Sequence, residues 1–128
     1  MRIIVLEDSI LASGASGSGA KWTIDDKYDI IDGTISCYDN DGSVFDALAH
    51  DDITTEWTIG SNPIANTSEA RIPLTALKTI LESPKFRPFS LESTKEMMFK
   101  AKHIAVSGTT NNTFPIKVRL VLSVVKRG

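Results

Sequence analysis

Aliphatic residues occupy every second position from 116 to 124, and this two-residue period constrains the fold more than any other feature of the chain. They are Ile116, Val118, Leu120, Leu122 and Val124. The intervening positions begin with Lys117 and Arg119 and become apolar at Val121 and Val125. Successive side chains of a β-strand point to opposite faces, so the period predicts a strand. Because its second face turns from charged to apolar, we expect its later half to be covered on both sides, as in an inner strand of a sandwich.

Further segments with the same period predict an all-β protein. Residues 53–59 alternate cleanly and place Trp57 on the apolar side as a core anchor. Residues 96–106 predict a third long strand, whose alternation slips near His103 as a β-bulge would cause. Shorter runs rich in β-branched or aromatic residues add four strand candidates: residues 2–6, 20–24, 34–38 and 86–91. The sequence thus predicts an antiparallel β-sandwich in a single domain spanning residues 1–128.

One or two short helices are expected to interrupt the strands. The better marked helix begins near Pro73, which suits a first helical position, and Ser83-Pro84 ends it. Its leucines share one helical face: Leu74, Leu77 and Leu81. The other helix would run through residues 44–48, with Ser43 as its N-cap.

Residues 13–19 consist only of Ser, Gly and Ala and stand apart in composition. Such residues bury little area and leave the backbone free, so the first interpretation is an ordinary flexible connection. The alternative is a tether within a flexible N-terminal arm of residues 1–19. Such an arm would let residues 2–6 add as a strand to a neighbouring subunit, which suits a protein that builds a lattice.

Residue types that carry catalysis or bind metals are sparse. Asp39-Asn40-Asp41-Gly42 begins like a calcium loop, but the Gly and Glu that such a loop needs do not follow in either register, so we expect an acidic turn. His50, His103 and Cys37 are scattered singly, without the close pairs of zinc motifs. No nucleophile motif accompanies the imidazole and carboxylates of residues 50–52. We therefore predict no catalytic residue, no metal site, no cofactor, and a protein that is not an enzyme.

Cysteine usage and hydropathy bear on the compartment in which the chain folds. Cys37 is the only cysteine, which favours a reducing cytoplasm over an oxidising compartment. The apolar run at residues 3–6 is cut off by Glu7 and Asp8, so no secretory signal peptide is expected. No stretch approaches the roughly 20 apolar residues of a transmembrane segment.

Charge is sorted by half of the chain. Residues 1–64 carry twelve acidic and three basic side chains, a net charge of −9, whereas residues 65–128 carry four acidic and eleven basic ones, a net charge of +7. A chain with one anionic and one cationic stretch has a reason to bind copies of itself or a polyelectrolyte. We expect basic faces of one subunit to meet acidic turns of the next, head to tail.

The basic residues of the second half concentrate on two segments that we expect to pair as a hairpin. The predicted interface residues are Arg2 and Ile4, from the exchanged strand, with Lys100, Lys102, Lys117 and Arg119. The basic face could instead meet phosphates, with Phe86, Phe89 or Phe99 stacking on bases. A third interpretation is that the lysines are simply solvated and keep a sheet edge from aggregating.

The last third of the chain has a recognisable order of segments. These are Pro88-Phe89-Ser90-Leu91, then Met97-Met98-Phe99-Lys100-Ala101-Lys102-His103, then a Thr/Asn-rich loop, then residues 114–122. The pattern resembles the last strands of small single jelly-roll virion proteins, such as the vertex (penton) proteins of internal-membrane bacteriophages. The resemblance implies an eight-stranded double Greek-key sandwich, a subunit that forms rings within an icosahedral shell, and no catalytic residue. It also implies copies of the chain and other virion proteins as partners, and the virion as location.

Two other functions stay open beside this structural one. In a sugar-binding or adhesin-like sandwich, an exposed Trp22 or Tyr38 would stack on a ligand ring while Asp39 and Asp41 accept hydrogen bonds from hydroxyls. A small nucleic-acid-binding protein ranks third, because the acidic first half would repel phosphates. Our first hypothesis is a self-assembling jelly-roll protein of the virion.

Overall fold

Nine strands and one helix make up the part of the chain that the computed structural model describes, which is residues 1–40, 52–60, 62–63, 71–83, 89–104 and 114–127. The strands are β1 (Arg2–Ile10), β2 (Ala20–Thr23), β3 (Tyr28–Tyr38), β4 (Ile53–Ile59), β5 (Asn62–Pro63), β6 (Arg71–Pro73), β7 (Phe89–Leu91), β8 (Glu96–His103) and β9 (Ile116–Lys126). Helix α1 (Leu74–Glu82) lies between β6 and β7. The expected helix at residues 44–48 falls outside the described residues.

The strands pair as one long antiparallel hairpin that is folded over into two sheets. β1 pairs with β9, β2 with β8, β3 with β7, and β4 with both β5 and β6. Two further pairings, of β3 with β9 and of β4 with β8, complete the sheets. One sheet has the order β1-β9-β3-β7, and the other has the order β2-β8-β4-β5 with β6 also beside β4. With β5 and β6 counted as one interrupted strand, this is the eight-stranded order of a jelly roll, as predicted.

The two-residue period of the strands decides which side chains form the core. The five aliphatic positions of β9 all face inward and are fully buried. Trp57 is also buried and anchors β4, as predicted. On β8 the inward positions are Met97, Phe99, Ala101 and His103, and the register with β4 shows no shift. From Met97 to His103, where β8 ends, there is therefore no bulge toward β4, and a polar residue takes the last inward position. Residues 105–106 of the predicted strand lie outside the described residues.

The outer face of β9 differs from the prediction. β9 is an inner strand between β1 and β3, as expected. Its later half is not covered on both sides, however, because Val121 is only half-buried and Val125 is 40% exposed. The sequence of β9 is thus typical of a strand covered on both faces, but its outer apolar side chains are partly exposed in the single chain.

Helix α1 packs its leucine face onto the sandwich. Leu74, Leu77 and Leu81 are buried, as the sequence predicts. Pro73 is the N-cap and Ser83 the C-cap, so the helix begins and ends within one residue of the expected positions. The helix contacts β3, β4 and β6.

The N-terminal segment completes the sheet of its own chain and is not a flexible arm. β1 pairs along its whole length with β9 of the same chain, so residues 2–6 form an edge strand of this sheet. The Ser/Gly segment is also held, because residues 15–17 run along β8. The Gly17 N–H donates to Ala101 O at 2.8 Å, and the His103 N–H donates to Ala15 O at 3.0 Å. Composition indicates backbone freedom but cannot reveal hydrogen bonds of this kind.

The two basic segments do not pair with each other, so the predicted basic hairpin is wrong. β8 belongs to the five-stranded sheet and β9 to the four-stranded sheet. Lys100 and Lys102 do share one outer face, as do Lys117 and Arg119. These two faces lie on opposite sides of the sandwich, because in a jelly roll the last two strands are wrapped into different sheets.

Candidate functional site

The outer face of the four-stranded sheet carries an apolar area on β1 and β9, which Asp29 and Asp32 of β3 border. Val5 lies beside Val121 on β9, and Ile3 lies beside Ser123. Val125 lies further along β9, beyond Ser123 and beside Asp29 of β3. We call Ile3, Val5, Val121 and Val125 the aliphatic patch. Ile3 and Val5 are 52% and 53% exposed, and exposed aliphatic side chains grouped in this way are typical of surfaces that another protein covers.

Alternation and register together create the aliphatic patch. Ile4 and Leu6 take the inward positions of β1, so the two-residue period places Ile3 and Val5 on the outside. The antiparallel pairing of β1 with β9 then brings them beside residues more than a hundred positions away. Ile31, at the irregularity of β3, is another exposed apolar residue of this sheet.

Another part of the same face is charged. Arg119 Nη2 donates to Glu7 Oε1 at 2.8 Å across the β1–β9 pair. The guanidinium carbon lies 5.5 Å from the ring centroid of Tyr38, which is a cation–π distance. The hydrogen bond to Glu7 raises the pKa of Arg119. The face therefore combines an apolar area with an ordered polar border, as protein interfaces do.

The six predicted interface residues do not form one surface: Arg2, Ile4, Lys100, Lys102, Lys117 and Arg119. The prediction for Ile4 is wrong, because its side chain points into the core. The lysines of β8 lie on the outer face of the five-stranded sheet, and the basic residues of β9 lie on the outer face of the other sheet. Arg2 lies at the start of β1, where its Nη1 donates to both carboxylate oxygens of Asp25 and to the Tyr28 hydroxyl.

Opposite charges from the two halves of the sequence meet within the chain. Three ion pairs join the first half to β9 or the residue after it: Glu7–Arg119 at 2.8 Å, Asp26–Lys126 at 2.9 Å and Asp29–Arg127 at 3.4 Å. They form because the basic β9 lies between two acidic strands, β1 and β3. The predicted head-to-tail docking of opposite charges thus loses its basis, since the fold mixes the two stretches on one surface.

A buried carboxylate ties the two sheets together. Asp8 Oδ1 accepts hydrogen bonds from the N–H groups of Ser9 and Gly19, both at 3.0 Å, and Oδ2 accepts one from the Ala101 N–H at 2.8 Å. A Cβ on Gly17 would lie 2.0 Å from Asp8 Oδ2. Glycine is therefore required at position 17 because the carboxylate occupies the side-chain space. All these contacts are internal, and they give Asp8 a structural role.

His103 and Asp52 form a buried pair, and neither ring nitrogen of His103 is available to a substrate. His103 Nε2 lies 3.0 Å from Asp52 Oδ2. The other ring nitrogen, Nδ1, accepts a hydrogen bond from the Gly14 N–H at 3.1 Å, and the ring meets Phe114 edge to face. A general base needs that second nitrogen for its substrate. The geometry therefore supports a role in holding the backbone at Gly14, while His50 lies outside the described residues.

Of the aromatic residues considered for ligand stacking, Trp22 and Tyr38 are half-buried and Phe99 is fully buried. Trp22 faces the inner side of the sheet edge, with its ring centroid 5.7 Å from that of Tyr28. Tyr38 lies under the guanidinium of β9, which occupies one ring face. Phe99 is fully buried in the core, so base stacking is wrong for this residue. Asp41 and the side chains of the other two candidate phenylalanines lie outside the description.

Sequence reasoning missed the exposed half of the aliphatic patch on β1. Residues 3–6 form one continuous apolar run, and such a run carries no sign of which side chains face outward. The pattern at Val121 and Val125 is visible in the sequence. Its simplest interpretation, burial beneath the same chain, is the one that the structure contradicts.

Strand order and surface together define an all-β sandwich of the jelly-roll type with an aliphatic patch on one outer sheet face. Comparison of the chain with protein-family models, curated proteins and solved structures finds no match. In the described part of the chain, no three His, Cys, Asp or Glu residues are grouped to hold a metal ion. The helix there is too short to cross a bilayer.

Proposed function

We propose that this protein is a structural subunit that assembles with copies of itself, as shell-forming jelly-roll proteins of virions do. The observation that carries the proposal is the aliphatic patch on β1 and β9. Other virion proteins are the further partners, and the virion is the location. Jelly rolls occur in capsids but also in lectins and cupins, so the fold supports the proposal only together with the surface.

Both the sequence and the exposure of the patch favour a protein partner. The β9 pattern is typical of a strand buried on both faces, yet one chain covers only one face. A subunit packed against the outer side would supply the missing cover. The exposed halves of Ile3 and Val5 would then leave water, at a gain of about 25 cal/mol for each Å² buried.

The patch suits a protein better than a sugar or a nucleic acid. Small-molecule sites are concave and combine aromatic side chains with converging polar groups, whereas the patch consists of aliphatic side chains on a sheet face. Nucleic acid needs a cationic track, and on this face Arg119 is already paired with Glu7. The patch therefore favours the assembly function over the two alternatives.

The experiment compares the size of three proteins in solution by size-exclusion chromatography with light scattering over a concentration series. Wild type is expected to exceed the 13.9 kDa of one chain. Val121→Lys places a charge in the patch, and we expect at least a ~10-fold weaker association, since a buried unpaired charge costs several kcal/mol. Thr23→Lys makes the same charge change on the exposed face of β2 and should associate as wild type does.

Salt separates apolar from electrostatic association. Because the patch is apolar, about 1 M NaCl should leave the assembly intact and sulfate should strengthen it. A wild-type chain that stays at 13.9 kDa at every concentration would contradict the proposal. Equal effects of Val121→Lys and Thr23→Lys would also contradict it, because charge alone would then explain the result.

A further inference from the structure

Most edges of the two described sheets are unsuited to pairing with another chain. β6 and β7 have three residues each and β5 has two. β2 has four residues, presents Lys21, and is preceded by the irregular stretch at residues 17–19 into which Asp8 inserts. Short strands, exposed lysines and irregularities are the means by which proteins keep sheet edges from joining.

β1 lacks this protection over its first half. It is nine residues long, stands at the end of its sheet and pairs, among the described strands, only with β9. The Ser9 N–H donates to the Asp8 carboxylate, which also binds the other sheet, so this N–H does not point at β9. Because N–H groups two residues apart on a strand point the same way, the N–H groups of the odd-numbered residues face the open edge of β1. Asp8 blocks the last third of the strand, and among the described residues no strand pairs with the outer edge of residues 3–6.

We infer that the open edge of β1 binds β1 of a second copy of this chain, in antiparallel pairing around a two-fold axis at Ile4. The pairing would join two four-stranded sheets into one sheet of eight strands. Each copy uses the same surface, as in other two-fold contacts. The inference rests on the proposed self-assembly and deepens it, because it adds a second contact, at a strand edge, to the contact proposed for the sheet face.

The faces and charges of β1 favour this register over those centred on Val5 or Glu7. Antiparallel neighbours keep their inner and outer faces in line only when odd positions oppose odd positions. With the axis at Ile4, Ile3 lies opposite the partner's Val5, so the two aliphatic patches become continuous. Moving the axis by one residue, to Val5, would place Ile3 against the partner's Glu7. A register centred on Glu7 would bring two like charges together, which is unfavourable.

Disulfide trapping tests the register directly. Single variants Ile3→Cys, Val5→Cys and Glu7→Cys are mixed in pairs, oxidised and separated on non-reducing gels. Directly opposite residues lie about 4.5–5.5 Å apart between Cα atoms, within disulfide range, and diagonal ones lie beyond about 7 Å. We expect Ile3→Cys mixed with Val5→Cys to cross-link several-fold more than either variant alone. The mixture with Glu7→Cys is the matched control, and buried Cys37 stays unreactive.

Each outcome decides between pairing at β1 and another contact. Selective cross-linking of positions 3 and 5 supports the inference. Equal yields in all mixtures, or a preferred link between positions 3 and 7, would overturn it. Light scattering of unmodified wild type separates the two proposals: an assembly without the selective cross-link retains the proposed function and rejects the β1 pairing, whereas a monomer rejects both.

Discussion

The Asp8 carboxylate fills the space that a side chain at position 17 would need, and Gly17 leaves this space open. The Asp8 carboxylate is 2% exposed and accepts three backbone hydrogen bonds. Charge-assisted bonds of this kind compensate for the hydration that a buried charge loses. The glycine at position 17 therefore serves packing as well as flexibility.

A double-mutant cycle should detect this competition. We expect Gly17→Ala to cost about 2 kcal/mol, because the added Cβ overlaps the carboxylate. Asp8→Ala should cost about 3 kcal/mol, because it leaves the buried Ala101 N–H without its acceptor. In the Asp8→Ala background, Gly17→Ala should cost less than about 0.5 kcal/mol. Urea unfolding measures all four proteins, and additive costs would show that the two residues do not compete.

Cys37 should be inert while the chain is folded. Its thiol is fully buried on the inner face of β3, and burial raises its pKa to about 12. The thiolate is the reactive form, and at pH 8 only roughly one thiol in 10⁴ would be ionised. We expect no reaction with a disulfide reagent in native buffer and full labelling in guanidinium. The control is Thr34→Cys in a Cys37→Ser background, which exposes a thiol on the same strand; equal native rates at both positions would contradict the buried placement.

Helix α1 lies close to β3 because Gly33 has no side chain. A Cβ at that position would lie 3.1 Å from Leu81 Cδ2 and 3.3 Å from Leu122 Cδ2, which is tighter than ordinary contact. The helix has no side-chain N-cap hydrogen bond, so its own ends contribute little to its stability. Packing of the leucine face must therefore hold the helix in place.

Truncation of that face should be costly. Leu77 is 1% exposed, and we expect Leu77→Ala to lower the free energy of unfolding by about 3 kcal/mol through lost burial and a cavity. Thr79→Ala, on the exposed side of the same helix, should change it by less than about 0.5 kcal/mol. Chemical denaturation of both variants provides the comparison. Similar costs would indicate that helix propensity, rather than packing, maintains the element.

Strands and helices were predictable from the sequence where residues only a few positions apart determine them. The period of β9, the anchor at Trp57 and the Pro73-to-Ser83 helix all depend on neighbours within a few positions, and the structure confirms each one. The separation of β8 from β9 and the docking of residues 15–17 depend on pairings between distant strands. Such pairings leave no periodic signal in one sequence, which is why the basic hairpin and the flexible arm were wrong.

At the scale of the whole molecule, the halves that differ in charge are held against each other. Wrapping the hairpin into a jelly roll places basic β9 between acidic β1 and β3, so a contrast along the sequence becomes neutralisation on the surface. Counting charges predicts attraction between the halves correctly. It cannot tell attraction within one chain from attraction between chains.

Two exposed ion pairs, Arg2–Asp25 and Lys126–Asp26, make the stability of the fold depend on pH. The hydrogen bond from Arg2 lowers the pKa of Asp25, and that from Lys126 lowers the pKa of Asp26. In the unfolded chain both carboxyls return to an ordinary pKa of about 4. As the pH falls through that value, the unfolded state takes up protons first, so stability that is fully present above about pH 5 is lost progressively below it.

A variant with Asp25→Asn and Asp26→Asn isolates this contribution. Its melting temperature should fall less steeply than that of wild type between about pH 6 and pH 3, because two of the carboxyls that the unfolded chain protonates first are gone. Circular dichroism melts at one low protein concentration keep association constant across the series. About 1 M NaCl should bring the two pH profiles closer, since both pairs are exposed and salt screens them. Parallel profiles at low salt would mean that the pairs of Asp25 with Arg2 and of Asp26 with Lys126 do not stabilise the fold.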